Sequence, residues 1–318
     1  MDKRTRFAPS PTGYLHLGNI WIAFLNWLWS RQNRAKIVLR IEDIDRERCH
    51  KEYADQLIEN LLWLGLDWDE GPGGSYSYGE PVQSKRLGLY GGFCHELQRR
   101  GMVYPCFCSR ARLRKISSAP HEGEAVSVYD GACRDLSEEE RRAFSKTPSW
   151  RIKVCTDSLS YTDMILGERK RLLEAKKDDF VIRRADGMIS YQLACAYDDA
   201  HMGITHVFRG NDLADSSFYQ MYLIQLMGKP VPGYGHLPLL VDKAGIRLSK
   251  RQKGITLKEM REAGISAEKI IGLLLYLAGG LSRPEPVSAA AAAERIPFSE
   301  LSALHQHHIC VYQNSAWF

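Results

Sequence analysis

The chain has 318 residues, 44% of them hydrophobic and 25% charged, and 43 lysines and arginines against 38 aspartates and glutamates leave a net charge of +5. That length supports a large core in two or three domains, and the mild positive balance permits an acidic partner such as RNA without requiring one. No apolar run approaches the roughly 18 residues of a membrane helix, and eight cysteines in so long a chain argue against a disulfide scaffold and for a reducing, cytoplasmic setting.

Thr5 to Ala8 is long enough for a short first strand. Pro9-Ser10-Pro11-Thr12-Gly13 is a turn that continues neither strand nor helix, and the apolar run Ile20 to Trp29 predicts a helix buried beside a sheet. Such a helix start carries unpaired N–H donors and partial positive charge. Gly18 lets a phosphate or an adenine approach the backbone, and His16 sits where it reaches that phosphate. The stretch reads as an ATP loop.

Lys36 to Asp43 reads as a buried parallel strand with carboxylates at its C-terminal end, where open α/β sheets place ligands. Glu42 there complements the ammonium of an amino acid, whereas Asp43 and Asp45 read equally well as loop and capping residues. Lys51 to Leu64 is an expected helix ended by Gly65, and Gln83 to Arg100 another, stopped by Gly101. Gly73 to Gly79 reads as a loop.

Cys106 and Cys108, with Cys133 further on, suit a tetrahedral soft-ligand ion such as zinc. One coordination position stays open, for which spacing offers His121; the alternative is three reduced cysteines without metal. Leu136 to Phe144 predicts a charged surface helix. Ser149 to Val154 and Asp179 to Arg184 predict strands of an inserted α+β unit. Its basic residues, among them Arg169, Lys170 and Arg171, suit either an RNA backbone or a plain solvated surface.

Tyr191 to Ala200 is expected as a strand ending in two aspartates, and Ile204 to Leu213 as another ending in Arg209 and Gly210, both beside Glu42. An arginine there can pair with a carboxylate, and a tyrosine can supply a hydroxyl and a flat wall. Asp215 to Met227 predicts a helix ended by Gly228, and Pro238 to Val241 a last strand. A turn at Asp242 to Gly245 leads into Arg247-Leu248-Ser249-Lys250-Arg251, where a mobile ammonium can stabilise charge on leaving pyrophosphate. Helices follow near Leu257 and over Ala267 to Ala278. Beyond Ser282 the pattern weakens into Pro284-Glu285-Pro286, an alanine run at Ala289 to Ala293 and an ending rich in His and aromatics.

Ala8 to Gly13 followed by His16-Leu17-Gly18-Asn19 closely resembles the first signature of class I aminoacyl-tRNA synthetases in its glutamyl version, with Asn19 where that signature has His. Arg247 to Arg251 resembles the second signature, and Arg40 to Asp45, Ser84, Arg86 and Tyr90 also resemble the glutamyl pattern. The resemblance covers roughly residues 5 to 280. It implies an α/β fold with a doubly wound parallel, Rossmann-type sheet, a zinc-bearing α+β insertion and a small C-terminal helical region. Residues 1–100 and 187–240 would form the two halves of the nucleotide-binding catalytic domain and 101–186 the insertion. Residues 241–318 would carry the Lys250 loop, stem-contact-like helices and the tail.

The same resemblance implies that Arg6, Ser10, Glu42, Tyr191 and Arg209 bind glutamate and that His16, Gly18, Asn19 and Lys250 bind ATP. His16 and Lys250 would act on the phosphates, Mg2+ would arrive with ATP, and Tyr129 would join Cys106, Cys108 and Cys133 around one structural zinc. Arg209 to Leu213 with Asp215-Ser216-Ser217, and the short remainder after Arg251, resemble a truncated branch of the family that lacks the anticodon-reading domains. That branch implies activation of L-glutamate to glutamyl-adenylate and transfer to the queuosine base in the anticodon of tRNA(Asp). The alternatives are a truncated enzyme charging a tRNA acceptor end and a non-catalytic RNA-binding relative. A monomer with no membrane partner is expected.

Overall fold

The computed structural model describes residues 2–74, 76–109, 111–113, 129–248 and 256–311. Lys250 and His121, two candidates from the sequence, lie outside the described residues. Strand β1 (Arg4–Phe7) and strand β2 (Lys36–Leu39) pair in parallel, Arg6 opposite Val38, and the crossover between them is helix α1 (Leu17–Gln32). Its buried positions, including Trp21, Phe24, Leu25 and Leu28, go round most of the helix, as the apolar run requires. β2 ends at Leu39, but the chain stays extended to Glu42: Arg40 N–H donates to Phe7 O (2.9 Å) and Glu42 N–H to Pro9 O (3.0 Å) on the β1 side, while Leu39 N–H donates to Glu70 O (2.8 Å) and Ile41 N–H to Pro81 O (2.9 Å) in loops on the other edge.

Helix α2 (Lys51–Trp63) ends at Gly65, whose φ of 77° makes the left-handed stop that glycine accepts without strain. The next expected helix is split. Gln83–Lys85 forms a tight 3-10 turn and α3 (Leu87–Arg99) begins afresh, with Arg86 between them at φ −108°, ψ 5°. Arg86 is held there by its side chain, which reaches Asp198 Oδ1 (2.8 Å) and Glu80 O (3.1 Å).

The inserted unit has β3 (Val103–Cys106), a short capped helix α4 (Glu138–Arg142), β4 (Ser149–Ile152), the hairpin β5 (Asp157–Asp163) and β6 (Gly167–Leu173), and β7 (Val181–Arg183). β3, β4 and β7 form one antiparallel sheet in that order. The hairpin, absent from the sequence expectation, carries Arg169, Lys170 and Arg171 on β6.

Tyr191 to Ala200 is not a strand. It lies in helix α5 (Tyr191–His201), capped by Ser190 Oγ accepting from Leu193 N–H at 3.3 Å. The stretch contains no β-branched residue, and its seven consecutive buried residues, Leu193 to Asp199, hide the helical period that would have marked it. Strand β8 (His206–Gly210) follows, then helix α6 (Ser216–Leu226), strand β9 (Gly233–Leu237) and strand β10 (Leu239–Val241). β8 and β9 are parallel with Arg209 opposite His236, and β8 lies beside β1, where Arg6 Nη1 donates to Phe208 O at 3.3 Å.

The expected weakening beyond Ser282 gives way to order. After α7 (Leu257–Glu262) and α8 (Ala267–Leu277), the alanine run forms α9 (Ala289–Arg295). Gln32 of α1 donates to Ala293 O (3.0 Å) and Ile296 O (2.8 Å), and β11 (His308–Cys310) pairs in parallel with β10. Gly272 makes room for this return: a Cβ there would lie 1.7 Å from Glu285 O. No helix among the described residues is long and apolar enough to cross a membrane.

Candidate active site and cysteine cluster

A cleft of about 430 Å³ opens at the C-terminal ends of β1 and β8. Arg6, Ser10, His16, Gly18, Asn19, Glu42, Tyr191 and Arg209 all line it, so every described cleft candidate from the sequence meets in one place. His16 is the N-cap of α1. Its Nδ1 accepts the Gly18 N–H (3.1 Å) while Asn19 Oδ1 accepts the His16 N–H (3.3 Å), a reciprocal capping box. Nδ1 is therefore the acceptor, and Nε2 carries the proton of the neutral ring. A Cβ on Gly18 would lie 3.1 Å from the imidazole, so the glycine gives His16 its place. The loop is tied to the start of α7, since His16 bridges Thr256 and Leu257 N–H donates to Leu15 O at 2.8 Å.

Behind the cleft lies a buried charge network. Asp199 Oδ1 accepts from Arg6 Nε (3.1 Å) and Arg40 Nη1 (2.7 Å), and Arg40 Nη2 reaches Glu42 Oε1 at 3.0 Å. Asp198 takes Arg86 Nε (2.8 Å), Gln83 Nε2 (2.9 Å) and the Tyr90 hydroxyl (2.8 Å). Burial works against the Asp199 charge, but Arg6 and Arg40 more than offset it and hold its carboxyl below the usual range. Burial pushes the Glu42 carboxyl up, with Arg40 and Arg6 pulling the other way.

Arg209 differs from these arginines. It is 4% exposed, yet its hydrogen-bond partners are His236 Nε2 (3.1 Å), Tyr191 hydroxyl (3.3 Å), Gln220 Oε1 (2.7 Å) and Ser217 Oγ (2.6 Å). No carboxylate among the described residues pairs with it. Tyr191 sits at the rim, 40% exposed.

Sequence reasoning quoted Arg40 and Ser217 only inside family-like strings, with no role of their own, and missed Gln220 and His236. Two signals were available: Arg40 and Glu42 stand two apart in an extended segment and so share a side, and Ser217 and Gln220 are polar residues three apart, on one face of a largely apolar helix.

The three sulfurs of Cys106, Cys108 and Cys133 lie within 4.8 Å of one another. Cys108 and Cys133 Sγ are 3.7 Å apart, too far for a disulfide, and the Tyr129 hydroxyl is 3.7 Å from Cys106 Sγ. Four ligands at tetrahedral corners about 2.3 Å from an ion stand about 3.8 Å from one another, so three sulfurs and one phenol oxygen fit. The Arg151 guanidinium stacks 3.9 Å over the Tyr129 ring and Arg112 Nη1 is 3.1 Å from Cys108 Sγ, cations suited to a site rich in thiolate.

The family model for the catalytic domain of class I tRNA synthetases (E and Q) matches residues 3–285. Glutamyl-Q tRNA(Asp) synthetase of Symbiobacterium thermophilum is 48% identical over 306 residues, covering 94% of this chain and 93% of its own. The protein of that name from Nitratidesulfovibrio vulgaris is 42% identical over 279 residues, covering 87% and 86%. The crystal structure of a glutamate tRNA ligase from Elizabethkingia meningosepticum in complex with its amino acid superposes with a TM-score of 0.81 at 26% identity, over 99% of this chain and 68% of that one. The cleft, its two signature segments and these matches have one reading: the chain belongs to the class I tRNA synthetases for Glu and Gln, of which it carries the catalytic domain.

Proposed function

We propose that the protein activates L-glutamate with ATP and transfers the glutamyl group to the queuosine base in the anticodon of tRNA(Asp), as a monomer in the cytoplasm. The observation that carries the chemistry is Arg209, a buried guanidinium that pairs with no carboxylate among the described residues and faces a cleft that also holds Glu42. An unpaired buried charge is costly, and a carboxylate ligand removes the cost. The acceptor RNA rests on the names of the two relatives above.

In this reading the glutamate α-carboxylate attacks the α-phosphorus of ATP, pyrophosphate leaves, and a hydroxyl of queuosine then takes the acyl group with release of AMP. His16, Gly18 and Asn19 hold the phosphates at the start of α1, Lys250 acts on them by its charge, and Mg2+ enters with ATP. Glu42 takes the ammonium, and Arg209 with Tyr191 takes the side-chain carboxylate, the end of the substrate left over once the α-carboxylate faces ATP. Arg6 and Ser10 complete the pocket, Arg6 already half committed to Asp199. The enzyme thus works by positioning and charge more than by covalent chemistry.

Cys106, Cys108, Tyr129 and Cys133 would hold a structural zinc that pins the insertion. The domain plan is a doubly wound, Rossmann-type catalytic half at 1–100, the zinc insertion at 101–186, the second half at 187–240 and the Lys250 loop with its helices and tail at 241–318.

The test is glutamate-dependent exchange of pyrophosphate into ATP without RNA, followed by transfer of labelled glutamate to tRNA(Asp) with and without queuosine. Exchange with queuosine-dependent labelling is expected. Labelling at the acceptor end would replace this reading with a truncated glutamyl-tRNA synthetase, and no exchange would leave an RNA-binding relative.

A further inference from the structure

Arg209 is aimed by a second pair of side chains. His236 stands opposite it on β9, fully buried, with Nε2 3.1 Å from Arg209 Nε and Nδ1 2.5 Å from Asp163 Oδ2. Asp163, at the end of β5, is itself fixed: its Oδ1 accepts the backbone N–H of Ile165 (2.9 Å), Leu166 (2.9 Å) and His236 (3.1 Å).

The proton positions follow from donors and acceptors alone. A guanidinium is always protonated, so Arg209 Nε–H must donate and His236 Nε2 must accept. The imidazole proton then sits on Nδ1 and is given to Asp163 Oδ2. Burial, with Arg209 adding to it, keeps the His236 ring below its ordinary range against the pull of Asp163, which agrees with a neutral imidazole. With Nε–H taken by His236, the Nη groups of Arg209 turn toward Ser217, Gln220 and Tyr191, the last at the rim of the cleft.

We infer that Asp163 and His236 are positioning residues for glutamate, a relay in which Asp163 selects the His236 tautomer that leaves Nε2 free to orient the Arg209 guanidinium toward the substrate carboxylate. The inference rests on the assignment of Arg209 to a glutamate carboxylate. It adds two residues that touch no substrate.

Asp163→Asn is the decisive variant because it preserves shape and reverses the hydrogen-bond logic. Three backbone N–H groups demand an acceptor at the Oδ1 position, so the new amide nitrogen must face His236 Nδ1. His236 Nδ1 then becomes the acceptor and the proton moves to Nε2, where it opposes the Arg209 Nε–H donor and leaves only the Ser217 hydroxyl, 3.1 Å away, to receive it. Loss of a hydrogen bond to a charged group makes about a tenfold or greater rise in KM for glutamate the expected result in pyrophosphate exchange, with KM for ATP within about twofold. His236→Leu should behave alike, and His236→Gln, which can return an acceptor to Arg209 Nε–H, should recover most of the loss. Glutamate KM unchanged in D163N, a parallel rise in both KM values, or H236Q as impaired as H236L would each overturn the relay.

The wild-type protein supplies a measurement that needs no variant to fold. Nitrogen NMR of His236 should show a neutral ring protonated at Nδ1, and protonation at Nε2 would overturn the inference. The two readings also fail separately: a wild-type enzyme without glutamate-dependent exchange sinks the proposed substrate, whereas normal exchange with an unaffected D163N sinks only the relay.

Discussion

Arg40 Nη1 and Asp199 Oδ1 are 2.7 Å apart with the arginine side chain fully buried and the aspartate 3% exposed. This pair joins the residue that follows β2 to α5, and through Glu42 and Arg6 it fixes two cleft residues at once. Arg40→Met would leave Asp199 sharing only Arg6 and Glu42 without its nearest cation. Breaking a buried pair in this way costs about 3–5 kcal/mol. Urea unfolding should show that loss, and a variant within about 1 kcal/mol of wild type would mean the network is solvated like a surface pair.

The same network gives stability a defined acid limit. The folded Asp199 carboxyl titrates below its usual value because of Arg6 and Arg40. A depressed carboxyl contributes stability that is fully present above the unfolded value, near about 3.9, and lost as pH falls through the lower folded value. The Tm difference between wild type and Asp199→Asn should therefore be level above about pH 5 and shrink below about pH 4. A difference that stayed constant down to about pH 3 would assign the effect of the substitution to packing.

Much of this was legible in the sequence, and the losses have a common cause. The cleft loop at Pro9 to Asn19, Glu42 and Arg209 could be brought together because turn chemistry and strand ends are local signals, and Gly65 and Gly228, at φ 77° and 63°, stop helices where expected. Tyr191 lines the cleft from a helix and not from the expected strand, since an apolar stretch buried on several faces loses its period. Arg40 with Asp199 and Asp163 with His236 were missed because each pairing depends on chain return over 159 and 73 residues. The tail was undervalued for a related reason: its helix and strand are stabilised by α1 and β10, not by their own pattern.

Arg209→Lys tests the substrate assignment. Lysine keeps the charge but lacks the fork that holds Tyr191, Gln220, Ser217 and His236 together while meeting a carboxylate. KM for glutamate should rise about a hundredfold or more, as for loss of a charge-assisted bidentate contact, with KM for ATP nearly unchanged. Equal effects on both substrates in steady-state exchange would remove Arg209 from glutamate recognition.

The cysteine cluster makes a prediction that needs no substrate. Cys133→Ala removes one of three sulfurs lying within 4.8 Å of one another. Metal analysis of the purified protein should give about one zinc per chain in the wild type and far less in the variant, and a strong chelator should lower the wild-type Tm toward that of the variant. Retention of zinc by Cys133→Ala would place the metal elsewhere.

Gly18→Ala separates the position of His16 from the stability of α1. Gly18 lies in the first turn of the helix, where alanine is the better helix former, so stability should hold or improve slightly. The new methyl would stand 3.1 Å from His16 Cε1 and Nδ1, closer than an undisturbed contact, so the imidazole must move by a few tenths of an ångström and its capping bond to the Gly18 N–H must lengthen. A group that stabilises charge on a transferring phosphate is sensitive to displacements of that size. The exchange rate at saturating substrates should fall about tenfold or more, with KM for glutamate unchanged and Tm equal to or above wild type. A fully active Gly18→Ala enzyme would show that the His16 ring does not act on the phosphates from where the capping box holds it.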